Sequence, residues 1–145
     1  MPKWVADGFN EYVKRLPKDL PLDLVEIALG ARGKNPDIKR AIQKESTAIL
    51  AQIGAQDHVV ALEVKGADWS TEKLALNLEQ WQMQGQNLVI LIGGPDGLSD
   101  ECRARANQQW SLSALTLPHP IVRIVLAEQL YRAWTVTQNH PYHRS

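Results

Sequence analysis

Five consecutive branched apolar residues, Leu88-Val89-Ile90-Leu91-Ile92, run directly into the turn Gly93-Gly94-Pro95-Asp96-Gly97. A run with no polar alternation suits a strand buried on both faces, which is how the parallel strands of α/β proteins read. Residues 88–92 are therefore expected to be the central strand of such a sheet. The loop leaving the carboxyl end of a parallel strand is where α/β folds place ligands, and paired glycines let backbone N–H groups approach a ligand with no Cβ in the way.

The rest of the chain supplies alternating partners for this strand. Pro2 and the helical spacing of Trp4, Val5, Phe9, Tyr12, Val13 and Leu16 predict an amphipathic helix that Pro17 stops. Leu22 to Leu29, fenced by Pro21 and Gly30, predicts a strand. Asn35 is placed to cap a helix with Pro36 at its first position, ending at Gly54, with Ile38, Ala41, Ile42, Ile49 and Ile53 as its buried stripe. His58 to Val64 predicts a strand, and Ser70 or Thr71 caps a helix that buries Leu74, Leu78 and Trp81 and stops at Gly85. Ser99, followed by Asp100 and Glu101, caps a short helix to about Gln109 in which Cys102 packs. Trp110 to Leu117 reads as a strand and Ile121 to Val136 as a final helix. The alternation implies an α/β fold, a parallel sheet covered by helices on both faces.

A chain of 145 residues is expected to form one domain, residues 1–145. Its single cysteine, Cys102, allows no intrachain disulfide and no cysteine-based metal cluster, so no metal is expected. No apolar run is long enough to cross a bilayer, and a reducing cytoplasm is the expected compartment. Sixteen basic and sixteen acidic side chains cancel, so a polyanionic partner must be met by a local patch rather than a whole-molecule field. One such patch is written in Arg32, Lys34, Lys39, Arg40 and Lys44, five cations in thirteen residues. An ordinary solvated face, partly balanced by Asp37 and Glu45, is the reading that charge alone favours. The loop around Lys34 lacks the spacing of a phosphate-binding Walker motif.

The final helix leaves only Arg123, Glu128, Gln129 and Arg132 to meet water. A helix apolar most of the way round needs cover on more than one side, and a second copy of the chain is the economical source, so a homodimer is expected.

Four segments together carry a resemblance: Leu91 to Leu98, Trp110 to His119, Asn139 to Arg144, and Gly33-Lys34-Asn35 upstream. In this order they resemble the SPOUT-class ribosomal RNA large subunit methyltransferase H family, which methylates N3 of a pseudouridine in 23S rRNA, and the similarity covers essentially the whole chain. The resemblance implies a SPOUT fold with a deep trefoil knot at the carboxyl end, a homodimer built around it, and S-adenosyl-L-methionine as cofactor. Its cofactor contacts fall on Leu62, Gly93, Leu112, Ser113, Ala114, Leu115, Thr116 and Leu117. Members of the family begin with a strand and a glycine-containing turn ahead of the helix that here starts at Pro2. The chain as read has neither, which implies a start at an internal methionine or the loss of that strand.

For methyl transfer to a pseudouridine N3 the protein must hold donor and acceptor in line and manage one proton, so positioning dominates. Near the expected knot the candidate catalytic residues are Arg144, to anchor substrate or stabilise charge, Tyr142, to stack on a base, and His119, as orienter or proton acceptor. His143 joins Arg32, Lys34, Lys39 and Arg40 as a candidate substrate contact. The expected partner is 23S rRNA, as free RNA, large ribosomal subunit or assembled ribosome. Two other functions use the same features: a noncatalytic RNA-binding module, and a nucleotide-binding enzyme using Gly93 to Gly97 as a phosphate cradle, against which Asp96 argues.

Overall fold

The structure is a computed structural model that describes residues 1–28, 37–94 and 96–143. Its elements are α1 (Lys3–Val13), α2 (Ile38–Leu50), β1 (His58–Asp68), α3 (Thr71–Gln84), β2 (Leu88–Leu91), α4 (Asp100–Arg105), β3 (Gln108–Ser111) and α5 (His119–Thr137). This is the α/β alternation that the sequence implies. The chain divides into two compact units, a helical one (Met1–Leu24, Asp68–Gly85, Leu115–Ser145) and a sheet-bearing one (Val25–Ala67, Gln86–Ala114).

In the sheet unit the strand order is β2-β1-β3, with β1 and β2 parallel and Val59 opposite Val89, Val60 opposite Ile90 and Ala61 opposite Leu91. Val59, Val60 and Ala61 are 0% exposed, so the middle of the sheet is β1. Val59 and Ala61 share a core with Leu91, Leu98 and Cys102, closed by Ile49, Leu50, Ile53, Val89 and Ala106. Each fully buried aliphatic side chain of this kind contributes about 1.5–3 kcal/mol relative to exposure. α2 packs on α4, where Ser46 Oγ meets Ser99 Oγ at 2.6 Å. The entry to β3 is tied by Asn107, whose N–H donates to the Val59 carbonyl (2.7 Å) and whose Oδ1 accepts from the Val59 N–H (2.8 Å). A Cβ on Gly66 would lie 2.7 Å from the Trp110 nitrogen, so glycine is what lets β1 and β3 approach there.

In the helical unit α5 packs on both α1 and α3. Val5, Phe9, Leu74, Leu78, Trp81, Leu126, Leu130 and Tyr131 are buried, and a Cβ on Gly8 would come within 2.8 Å of Ile124, marking a close approach of α1 and α5. Ser70 caps α3 by accepting from the Lys73 N–H (3.1 Å), and Gly85 ends it at φ 70°, a left-handed conformation that glycine adopts without a Cβ penalty.

Several elements differ from expectation. Residues 88–91 form the flanking strand β2, with only Leu91 buried, and the central position belongs to β1, whose pattern HVVALEV hides its role behind polar ends. Residues 21–28 are irregular and Val25 is 59% exposed, because no described strand offers this segment a ladder; Leu29 and Gly30 lie outside the described residues. Asn35 and Pro36 also lie outside them, and the cap of α2 is Asp37, which accepts from the Arg40 N–H (3.0 Å). α2 ends at Leu50 rather than Gly54, and its buried stripe is Ala41, Glu45 and Ser46, with Ile38 38% exposed. Glu45 therefore belongs to the packed face and not to the solvated one. α4 stops at Arg105 and β3 starts at Gln108, so Trp110 and Ser111 end a strand that was expected to begin there. The bonds of Asn107 to Val59 pull the chain into the sheet, so that β3 starts two residues early.

Candidate functional site

The parallel ladder of β1 with β2 ends at Ala61 opposite Leu91, so Leu62, in the middle of β1, and Ile92, just after β2, follow its last pair. Leu62 is half-buried. The turn beyond Ile92 folds back on itself: the Gly97 N–H donates to the Gly94 carbonyl (3.0 Å), and Gly97 stands at φ 81°. A Cβ on Gly93 would sit 2.8 Å from the Gly97 carbonyl carbon and 3.0 Å from the Leu98 nitrogen. Gly93 is thus required by the turn's own backbone, so a side chain there would deform the turn itself besides filling any ligand space. Leu98 ends the turn with its side chain in the core and its carbonyl accepting from Arg103 Nη1 at 2.5 Å.

β3 delivers the second loop of the sheet unit. Ser111, 4% exposed, donates from Oγ to the Ser113 carbonyl at 2.9 Å and so bends the chain just after the strand. Leu112 and Ser113 are half-buried and Ala114 is exposed. These loops offer aliphatic surface, small side chains and main-chain polar groups, the lining that an uncharged heteroaromatic ligand needs. Ser111 was not legible as a site residue, because a serine inside a predicted strand carries no sign that it pins the following loop.

In the helical unit, Leu115 is 72% exposed, Thr116 exposed and Leu117 half-buried. His119 is half-buried and is the first residue of α5, where extended Pro118 and Pro120 in the first turn set the helix start. Downstream, the carboxyl-terminal residues fold back onto α5. Glu128 accepts from Gln129 Nε2 (2.7 Å), from Arg132 Nε (2.8 Å) and from the Tyr142 hydroxyl (3.2 Å), and pairs with Arg132 Nη2 as well. The Arg132 guanidinium lies over the Tyr142 ring, 5.0 Å from its centroid, and Tyr142 makes a T-shaped contact with Tyr131 at 4.7 Å between centroids. His143 contacts Arg132 through Nδ1 (3.3 Å) and Glu72 through Nε2 (3.2 Å).

This arrangement sets the charges. Burial first, then the Glu128 carboxylate, pushes the Tyr142 phenol up, so it stays a hydrogen-bond donor. Hydrogen bonding to Glu128 raises Arg132, and the Glu72 carboxyl is held down by its own backbone N–H and then by His143. Glu128 and Arg132, whose side chains are 16% and 28% exposed, are therefore not the solvated residues their position on an apolar helix suggested. Their i,i+4 spacing was the available signal; their tail partners, ten or more residues on, left none.

Tyr142 and His143 are brought together, but His119 is not with them. The tail docks at Glu128, Tyr131 and Arg132, and the helix between His119 and Glu128 rises about 14 Å at 1.5 Å per residue. Lys39 and Arg40 are exposed on the first turn of α2. Arg32, Lys34 and Arg144 lie outside the described residues.

Residues 1–143 match the family model described as "Predicted SPOUT methyltransferase". Among curated proteins, the chain is 62% identical over 144 residues to the Ribosomal RNA large subunit methyltransferase H of Hahella chejuensis (strain KCTC 2396), covering 99% of this chain and 92% of that one. It is 60% identical over 144 residues to the protein of the same name from Marinomonas sp. (strain MWYL1), covering 99% and 93%. A parallel sheet opening onto a glycine turn, a pinned loop after β3 and a family match spanning nearly every residue converge: the chain belongs to the SPOUT methyltransferase family.

Proposed function

We propose that this protein is an S-adenosyl-L-methionine-dependent methyltransferase of large-subunit ribosomal RNA, acting at N3 of a pseudouridine in 23S rRNA in the cytoplasm. Relatives at 60–62% identity carry the name Ribosomal RNA large subunit methyltransferase H over nearly the full chain, and that observation carries the reading. The residues fit the cofactor: half-buried Leu62 and Leu112, small Ser113 and Ala114, and the main chain of the Gly93 turn would hold its adenosine part, with the chain continuing through Leu115, Thr116 and Leu117. Bound there, S-adenosyl-L-methionine supplies an electrophilic methyl group. What remains for the protein is to align the acceptor and take up one proton.

Arg144 anchors or neutralises the substrate in this reading, Tyr142 and His143 place the tail, and His119 orients the base or accepts its proton. Within one chain α5 keeps His119 and the docked tail apart. A shared site therefore calls for the tail of a second copy, which favours a homodimer with composite sites and agrees with the trefoil-knotted dimer that the resemblance implies. Arg32, Lys34, Lys39 and Arg40 supply the local cations that a chain of zero net charge needs to meet RNA. Calorimetry with S-adenosyl-L-methionine, with ATP as control, followed by mass spectrometry of 23S rRNA from cells with and without the protein, tests the reading. Binding of the cofactor alone and loss of one pseudouridine methyl group are expected; ATP binding, or an unchanged methylation pattern, refutes it.

A further inference from the structure

We infer that Arg103 is a positioning residue for the methyl donor, clamping the glycine turn after β2 to the middle of β1, just past the end of the β1–β2 ladder. The inference rests on the reading above, in which Leu62 and the Gly93 turn hold the cofactor.

Arg103 projects from α4, and its Nη1 donates to the Leu98 carbonyl at 2.5 Å and lies 3.4 Å from Glu63 Oε1, while Nη2 pairs with Asp100. Leu98 is the last residue of the turn, and Glu63 follows Leu62 in β1. One planar guanidinium therefore links the main chain at the end of the glycine turn to the Glu63 side chain on β1, next to Leu62 of the proposed cofactor contacts. The turn's own contacts, Gly94 with Gly97 and Gly93 against Gly97, shape it internally but do not reach β1. The Leu98 side chain anchors it from below, in the core with Val59 and Ala61. Arg103 adds the polar tie at the level of Leu62.

A surface ion pair alone would carry little weight. This one involves a main-chain acceptor and a glutamate whose side chain is only 20% exposed, with Arg103 at 35%. The rigid fork of arginine reaches Leu98, Glu63 and Asp100 together, and the single ammonium of lysine would have to choose among them. Loss of the clamp lets the turn settle away from β1, widening the slot for the donor while leaving the acceptor side untouched.

The test uses the intact protein and S-adenosyl-L-methionine as the probe, with calorimetry, thermal melting and steady-state methylation of the RNA substrate. Arg103→Gln is expected to raise the Kd and KM for the cofactor about 5- to 30-fold, the scale of a lost charge-assisted hydrogen bond. At saturating cofactor its kcat should stay within about twofold, since no interaction special to the transition state is removed. Arg103→Lys should recover part of the affinity, and Glu63→Gln should weaken it in the same direction while keeping the Leu98 bond. Ala114→Trp, which obstructs the proposed slot directly, serves as the control for the site itself.

An Arg103→Gln protein that binds as tightly as wild type beside a disabled Ala114→Trp overturns the inference alone. Should Arg103→Gln fail to fold, Glu63→Gln decides in its place, and unchanged affinity there has the same meaning. Wild-type protein that does not bind, or an Ala114→Trp protein that binds normally, overturns the placement of the donor and the inference with it.

Discussion

Tyr142 is the residue through which the docking of the carboxyl-terminal tail can be measured. Its hydroxyl donates to the Glu128 carboxylate at 3.2 Å, its ring makes a T-shaped contact with Tyr131 at 4.7 Å between centroids, and its face carries Arg132 at 5.0 Å. Because the ring is half-buried, the lower end of each ordinary range applies. A hydrogen bond to an ionised acceptor then contributes about 1.5 kcal/mol, and the aromatic and cation–π contacts about 0.5 kcal/mol each. Tyr142→Phe removes only the first, and the ratio of docked to released tail should fall roughly tenfold. Tyr142→Ala removes all three and should lower it by roughly 70-fold. The readout is hydrogen exchange at the amides of His140, which donates to the Thr135 carbonyl (2.9 Å), and of residue 142, which donates to His140 Nδ1 (3.1 Å). Exchange should accelerate in the order wild type, Phe, Ala, and rRNA methylation should fall in the same order while cofactor affinity holds. Equal protection in all three proteins would refute the claim that these contacts hold the tail.

The same phenol gives a pH dependence. Its folded pKa is raised above the ordinary 10.0, so its contribution is complete below about pH 10 and is lost as pH rises through the folded value; the protection of the tail amides relative to their intrinsic exchange rate should fall there in wild type and not in Tyr142→Phe. Gly93→Val, whose Cβ would meet the Gly97 backbone at 2.8 Å, should lower both thermal stability and cofactor affinity, and a melting temperature equal to wild type would show that the turn tolerates a side chain. Leu126 and Leu130 are 4% and 5% exposed within one chain, so charges there should unfold it. Half-buried Val125 and Trp134 are the better probes of the proposed dimer, and Val125→Asp or Trp134→Asp should lower the mass seen by light scattering without loss of helix. Replacing Lys39 or Arg40 with Ala should weaken RNA binding evenly across sequences and flatten its salt dependence by roughly one unit of slope each.

Read alone, the sequence determined those features whose causes are local. Ser70 and Ser99 cap helices because their hydroxyls reach the N–H three residues on, and Gly85 stops α3 because only glycine takes a left-handed backbone without cost. The buried face of α3, the packing of Cys102, and the glycine turn at the carboxyl end of a parallel strand were legible in the same way. The motif order from Leu91 to Arg144 carried the family. What only the tertiary structure decided depends on partners distant in the chain. β1 rather than β2 is central because Asn107 and the β3 backbone claim its second edge, and no periodicity in Leu88 to Ile92 could announce that. Gly93 serves the turn's own backbone, a fact set by where Gly97 returns. Glu128 and Arg132 read as the wet side of an apolar helix until Tyr142 and His143 fold back onto them. A charged pair at helical spacing looks the same in solvent or under a tail, since what distinguishes the two is the residue ten to fourteen positions on that covers it.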